Sequence, residues 1–320
     1  MKKQYVFNDE INSKLDEFKN YLQTENYAKE SIRIKSNYAG VFLQFLENEN
    51  LKAAEIKYPG MLAFIEILSE ENKSKKLINN ILLSTRNYYE FLNKTDNSIK
   101  NPAQNLYIKG TVRKLPENII KFETLEEIYK KYKTVNNRTK RNKIILGLLI
   151  YQGITTEELH KLKPEHIILK KAQIYIPGNK KRNSRKLDLQ GFQIMELQEY
   201  LQKTRALIIK EINKKRPARK PDKIDKEKIN RQLFISINGS INLKNSLLHL
   251  FKEIQKTYSQ LSNAKQIRRS VIVHKLKTMN LREVQYFAGH KYVSSTERYL
   301  LNNIEDLKRQ TEKYHPLREL

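Results

Sequence analysis

Cysteine and tryptophan are both absent from this chain of 320 residues. Without cysteine there is no disulfide framework, no thiolate metal site and no thiol nucleophile, and an intracellular setting is expected. Only 9 glycines and 8 prolines occur, which excludes collagen-like and low-complexity classes and leaves few residues that break a helix. No apolar run approaches the ~18 residues that span a bilayer. The opening Met-Lys-Lys-Gln-Tyr-Val-Phe-Asn-Asp-Glu lacks the apolar core of a secretory signal. A soluble, cytoplasmic protein is therefore expected. The six histidines, at 160, 166, 249, 274, 290 and 315, show no HExxH pattern or other close metal-ligand spacing, and there is no GxxxxGK[ST] loop. Neither a metal, a cofactor nor ATP chemistry is expected.

Acidic residues are also in short supply. Asp and Glu number 35 against 62 Lys and Arg, a net charge of +27. Such a surface presents extended positive potential, and nucleic acid is the first partner to consider, with an ordinary basic or ribosome-associated protein as the alternative. The length suffices for two domains, each with its own core.

Apolar periodicity organises the first hundred residues into four helices. Ile11, Leu15, Phe18, Tyr21 and Leu22 mark the first, and a second carries Ile32, Ala39, Phe42, Leu43 and Leu46 with Ser31 as its expected cap. The third runs from Pro59 through Leu68, and the fourth from Ser74 to Leu92. Asn101-Pro102 stops helix propagation, and the aperiodic stretch that follows, with Gly110 and Pro116, reads as a connector. The expected division is a helical domain over 1–104, a linker over 105–122 and a second domain over 123–320.

In the second domain Thr124 and Glu127 suggest a capping box for a helix through Tyr132. Asn142 to Gln152 reads as an apolar helix ending at Gly153, and Glu157 to Leu162 as a short one. Ile167–Leu169, Ala172–Ile176 and Lys186–Leu189 are strand-like and separated by turn residues, so a three-stranded sheet inside a helical domain is expected. Phe192 to Lys214 reads as one long helix, Lys215 to Lys223 as an exposed basic loop, Leu233 to Ile235 as a short extended piece and Leu243 to Lys256 as a helix. The fold class is mainly α with a small β-sheet.

The chemistry concentrates between Lys265 and Tyr299. Lys265 stands three residues before Arg268, Ala-Gly-His follows at His290, and nine residues later comes Tyr299. An arginine clamps phosphate oxygens with a planar fork of donors, a histidine moves a proton, and a tyrosine attacks phosphorus through oxygen. Taken singly each residue has an ordinary explanation. Tyr299 is one of 18 tyrosines, Arg268 belongs to an Arg-Arg pair that suits a solvated helix face, and Lys180-Lys181-Arg182 suits a charged hairpin tip. Their order and intervals behind a helical first domain give them weight together.

In that order the chain resembles the tyrosine recombinases of the phage-integrase type, over nearly its whole length. The first domain is similar to the family's core-binding domain. Gly147 to Leu159 looks like its first box, Ile174 to Leu189 like its β-hairpin and Lys265 to Tyr299 like its second box. The resemblance implies attack by Tyr299 on a phosphodiester of double-stranded DNA, giving a 3′-phosphotyrosyl link and a free 5′-hydroxyl without metal or cofactor. It implies that Arg268 is one of two arginines neutralising the phosphate, that Lys265 holds a place usually given to histidine, and that His290 assists. Lys180 or Lys181, with a slight preference for Lys181, would be the general acid toward the leaving 5′-oxygen.

The departure is Thr155, which stands where the family places its first-box arginine; Tyr151 to Lys180 contains no arginine at all. Loss of one preorganised donor typically costs ~10²–10³ in rate, and a charged bidentate donor more. Two readings follow. The chain is a working recombinase in which Arg269, Lys265 or an arginine from elsewhere compensates, or it is a DNA-binding accessory factor that has lost cleavage. A structural nucleic-acid-binding helical protein is the third class. Lys35, Lys75, Lys76, Arg86 and Arg269 are the candidate DNA contacts, and family members close around the duplex as a C-shaped clamp. An apolar face at Leu300, Ile304 and Leu307 suggests a terminal helix over 300–314 that either packs back on its own domain or, as the resemblance implies, packs into a neighbouring protomer, giving a tetramer on two sites or an assembly with a second recombinase. Action on DNA would place the protein on the nucleoid.

Overall fold

A computed structural model of the chain describes residues 5–110, 118–214, 226–240 and 242–300. It divides into two compact units, Met1–Arg113 and Lys114–Leu320. No helix among the described residues is long and apolar enough to cross a membrane.

Unit 1 holds four helices: α1 (Asp9–Thr24), α2 (Lys29–Asn48), α3 (Tyr58–Glu70) and α4 (Lys75–Thr95). Asn8 starts α1 by accepting from the Ile11 amide at 2.9 Å, and Ser74 starts α4 by accepting from Leu77 at 3.3 Å. Helix α2 begins two residues before the expected cap: Ala28 precedes it, and Ser31 lies inside the first turn. The apolar stripes meet in one core in which Phe42, Phe64 and Tyr89 pack at ring distances of 5.3 and 5.7 Å around Phe42. Each such side chain contributes roughly 1.5–3 kcal/mol by leaving water. The Tyr89 hydroxyl, buried with its ring, donates to the Ala53 carbonyl at 2.8 Å. The chain after α4 remains attached to it. Ala103 and Leu106 are buried, and Asn79 exchanges two hydrogen bonds with Ile108, at 2.7 and 2.9 Å.

Unit 2 is built around α6 (Asn137–Tyr151), preceded by α5 (Phe122–Lys131). The expected capping box at Thr124 does not form, because α5 starts two residues earlier and puts Thr124 in its first turn. Helix α6 starts five residues before the periodicity suggested. Asn136 and Thr139 form its capping box, and the polar run after them includes Arg141, which is fully buried and donates to Ile235 O at 2.5 Å and to Asn142 Oδ1 at 2.7 Å. A charged residue satisfied in this way is invisible to a hydrophobic pattern.

After α7 (Thr156–Lys161) come β1 (Ile167–Ile168), β2 (Gln173–Ile176) and β3 (Arg185–Asp188), an antiparallel sheet in the order β1-β2-β3. Ile174 pairs with Leu187 and Ile176 with Arg185, so alternate residues face the core. The long helix expected over Phe192–Lys214 is interrupted: α8 (Gly191–Glu199) passes through a π-helical turn at Tyr200–Thr204 into α9 (Arg205–Lys214). Tyr200, the first residue of that turn, is buried and donates to Leu233 O at 2.9 Å. Leu233–Ile235, expected to be extended, joins no ladder; the Leu233 amide donates to Leu162 O at 2.8 Å. Helices α10 (Lys226–Arg231), α11 (Lys244–Gln255), α12 (Ala264–Lys275) and α13 (Leu281–Ala288) complete the unit, and residues 294–300 are helical. The basic loop over 215–223 and the terminal helix over 300–314, Leu300 excepted, lie outside the described residues.

Candidate active site

Four separate stretches of unit 2 converge at the turn that follows α13. Asn280 caps the start of that helix through the amides of Arg282 and Glu283, and Gly289 ends it in the left-handed region at φ +64°. A side chain at Gly289 would be strained by the backbone and would collide with the Arg185 guanidinium. The chain therefore leaves the helix sharply at His290. There it is joined by the hairpin: Asn183 N donates to Gly289 O at 3.1 Å, and Arg182 forms a β-bridge with His290.

Arg268, on α12, is buried to 6% exposure and held by two carbonyls. It donates through Nη1 to Gly153 O and through Nη2 to Ala288 O at 2.5 Å, and Nη2 lies 3.3 Å from His290 Nε2. Gly153, at φ +56°, ends the segment after α6 and aims that carbonyl. Arginine only donates, so His290 Nε2 accepts, and the proton of a neutral ring resides on Nδ1, 2.8 Å from Thr296 Oγ1. Burial, then the charges of Arg268, Arg182 and Arg185, push the His290 pKa down to about 3. The ring is neutral near pH 7. Burial is also the main reason that Arg268 lies below the ordinary arginine range, with Glu158 acting in the opposite sense.

Tyr299, half-buried on the last described helical turn, stacks on His290 with 6.2 Å between ring centres and 13° between planes. Its ring also packs on the small cluster of Ile272, Val284 and Ala288. Arg268, His290 and Tyr299 thus meet in one place. Lys265 lies one turn before Arg268 on α12 and is exposed, while Arg269 beside it is half-buried. Lys180 and Lys181 stand exposed at the hairpin tip.

Thr155 is at the edge of this cluster and starts α7. Its hydroxyl accepts from the Glu158 amide at 3.2 Å and donates to Glu158 Oε2 at 2.9 Å, and Arg182 Nη1 approaches it at 3.4 Å. Glu158 in turn takes two hydrogen bonds from Arg185, at 2.7 and 3.3 Å, with both side chains buried. Burial alone would raise the Glu158 pKa, but the hydrogen bonds and charge of Arg185 outweigh it and hold the carboxyl at about 2. Arg185 also donates to Phe287 O at 2.7 Å, tying β3 and α7 to the end of α13. Sequence reasoning missed this pair and Arg182. The Thr155-Thr-Glu-Glu158 spacing carried a readable signal, since Ser or Thr followed three residues later by Glu is a capping box.

The candidate contacts of unit 1 differ among themselves. Lys75 and Lys76 are exposed in the first turn of α4. Lys35 is half-buried, bonded to Asn87 Oδ1 and 5.0 Å from the centre of the Tyr27 ring. Burial lowers its pKa. Arg86 is half-buried, with Nη1 3.4 Å from Gln104 O, so it braces the chain after α4.

The family model described as the phage integrase family matches residues 118–306, more than half of the chain and every residue of the cluster above. The chain belongs to the phage integrase family. A tyrosine recombinase XerC of Oceanobacillus iheyensis is 24% identical over 307 residues, 94% of this chain and 95% of that protein. A tyrosine recombinase XerA of Thermococcus onnurineus is 22% identical over 308 residues, covering 95% of each. Among solved structures, the XerH site-specific recombinase bound to difH substrate in a pre-cleavage complex matches with a TM-score of 0.66 at 18% identity, over 94% of this chain and 88% of that one. The Tn1549 transposon integrase in complex with transposon right end DNA matches at 0.60 and 16%, over 92% and 99%. These structures share the integrase fold, mainly helical with a small sheet.

Proposed function

We propose that this integrase-family chain is a site-specific DNA recombinase that breaks and rejoins strands through Tyr299. The observation that carries the reading is the assembly of Arg268, His290 and Tyr299 from three positions of the chain around one carbonyl-braced guanidinium. The Tyr299 hydroxyl oxygen attacks the phosphorus of a backbone phosphodiester, the P–O5′ bond breaks, and a 3′-phosphotyrosyl link and a 5′-hydroxyl result. Lys181 or Lys180 gives the leaving 5′-oxygen its proton, the phenol proton of Tyr299 passes to water, and His290, neutral and stacked on Tyr299, assists beside the scissile phosphate by orienting the ring and Arg268. Among the described residues the bonds of Arg268 engage three of its five N–H donors. The others serve the phosphate. Reversal with a different 5′-hydroxyl completes exchange, and no metal or nucleotide enters the balance.

Lys265 and Arg269 extend the positive surface beside Arg268, and Lys75 and Lys76 are backbone contacts of unit 1. Exchange between two sites calls for four protomers, either of this chain alone or with a second recombinase, and places the protein on nucleoid DNA. The second reading, a DNA-binding factor without cleavage, rests on Thr155, whose neutral hydroxyl is already committed to Glu158.

One experiment separates the two. The binding site is selected from a random duplex pool with the Tyr299→Phe variant, then rebuilt with a nick beside each candidate phosphate and incubated with the wild-type chain. A covalent protein–DNA band on a denaturing gel that disappears in Tyr299→Phe is the expected result. Tight binding to the selected duplex without that band establishes the binding factor instead.

A further inference from the structure

We infer that Arg182, in the hairpin turn between β2 and β3, supplies the second positive clamp on the scissile phosphate, in the space that Thr155 leaves open. This inference deepens the recombinase reading and rests on it. The observation is a juxtaposition of three contacts. Arg182 Nη1 lies 3.4 Å from Thr155 Oγ1, so the guanidinium occupies the space that a long side chain from position 155 would enter. The backbone of Arg182 is bridged to His290, and the next amide, Asn183 N, is bonded to Gly289 O. The hairpin therefore delivers this side chain from a turn anchored to the site itself.

The electrostatics agree with the geometry. After burial, which dominates in both cases, the charge of Arg182 is among those that lower the proton affinity of Arg268 and of His290. Three arginines in this cluster share one carboxylate at close range, and that carboxylate is taken by Arg185. Glu157 reaches Arg182 only at 4.0 Å and is itself half exposed. The Arg182 side chain is 25% exposed, so it is desolvated on one side and accessible on the other. A guanidinium held beside other cations with only a loose counterion is poised for an anion.

Local geometry makes the placement specific to this hairpin. Asn179 and Arg182 exchange backbone hydrogen bonds at 2.8 and 3.2 Å, and the Lys181 amide donates to Asn179 Oδ1 at 2.7 Å. Gly178 lets the strands close there, since a Cβ on it would lie 2.8 Å from Ser184 N. Lys180 and Lys181 are thereby left at the tip while Arg182 turns back toward Thr155. Clamp and general acid come from adjacent residues of one turn.

The test compares cleavage of the selected duplex carrying either an ordinary phosphodiester or an uncharged methylphosphonate at the scissile position. Arg182→Ala is expected to lower covalent-adduct formation on the phosphodiester by ~10²–10³, with binding of the duplex within a few-fold of wild type. On the methylphosphonate, where no second charge needs neutralising, the deficit shrinks to less than ~10-fold, a change that a merely structural role cannot produce. Thr155→Arg alone brings no gain, because a second guanidinium meets Arg182 and the Thr155 cap is lost. In the Arg182→Ala background the same substitution raises cleavage. The inference is overturned if Arg182→Ala cleaves the phosphodiester as wild type does, or if its deficit is equal on both substrates. A wild type that cleaves neither substrate removes the recombinase reading separately. Methylphosphonate scanning of the bound duplex then still decides the contact: loss of affinity at one central phosphate, absent in Arg182→Ala, supports it, and an unchanged scan refutes it.

Discussion

The buried Glu158–Arg185 pair gives the sharpest test of how the site is held. Removing the carboxylate in Glu158→Ala leaves a guanidinium at 0% side-chain exposure with no counter-charge, for which ~3–5 kcal/mol is the usual cost. The acid titration leads to a similar figure. A carboxyl that moves from 4.5 to about 2 on folding gains, at ~1.36 kcal/mol per pH unit, about 3 kcal/mol. Its folded pKa is depressed, so this stability is complete above the unfolded value and is lost as pH falls from about 5 toward 2. Loss of the Glu158 half of the capping box adds ~0.5–1.5 kcal/mol in α7, while the amide of residue 158 still donates to Thr155 Oγ1. Hydrogen-exchange mass spectrometry at pH 7 measures the effect in unit 2 alone. Protection of α7 and β3 amides is expected to fall by about two decades or more in Glu158→Ala, while α1–α4 keep theirs. The Glu158→Leu/Arg185→Met double replacement should recover much of the loss, because no unpaired charge remains. A double replacement as unstable as Glu158→Ala, or a Glu158→Ala variant within ~0.5 kcal/mol of wild type, would refute the assignment of the cost to an unpaired charge.

Gly289→Ala forces an alanine to φ +64° against Arg185, a strain of ~1–2 kcal/mol before the collision is counted, so the melting temperature of unit 2 should fall by several degrees in calorimetry. The His290 pKa is depressed from 6.5 to about 3, so its contribution is complete above pH 6.5 and declines as pH falls toward 3. Unfolding free energies from urea titrations followed by far-ultraviolet circular dichroism should therefore drop between pH 7 and 4.5 more steeply in wild type than in His290→Gln, by about 2.5 kcal/mol. Lys75→Ala and Lys76→Ala, both at exposed positions, should each reduce the slope of log affinity against log salt by ~0.9 in gel-shift titrations, without altering the preferred site. Asn79→Ala removes both hydrogen bonds to Ile108 and should raise amide exchange over residues 103–108 while leaving α1–α3 protected.

Much of this protein is determined along short stretches of chain. Helical period alone placed α1 to α4, because their buried residues recur at one-face spacing, and the Ser74 and Asn8 caps act within three residues of where they stand. The family membership was legible in the same way, since Lys265, Arg268, His290 and Tyr299 lie at short intervals on one segment. What tertiary structure decided involves partners far apart in sequence. The Tyr200 hydroxyl finds a carbonyl at Leu233, Arg141 is buried near the start of α6 because it reaches Ile235, and Glu158 is paired because Arg185 arrives from the other side of the hairpin. Thr155 is the clearest instance. By sequence it is a missing arginine and half a clamp. Its role as the cap of α7 is local too, but in the fold Arg182 reaches its hydroxyl, because a β-bridge to His290 carries the hairpin across. Local pattern records what a residue can do through its own backbone neighbours, whereas charge acts through space, and only the folded path determines which charges share it.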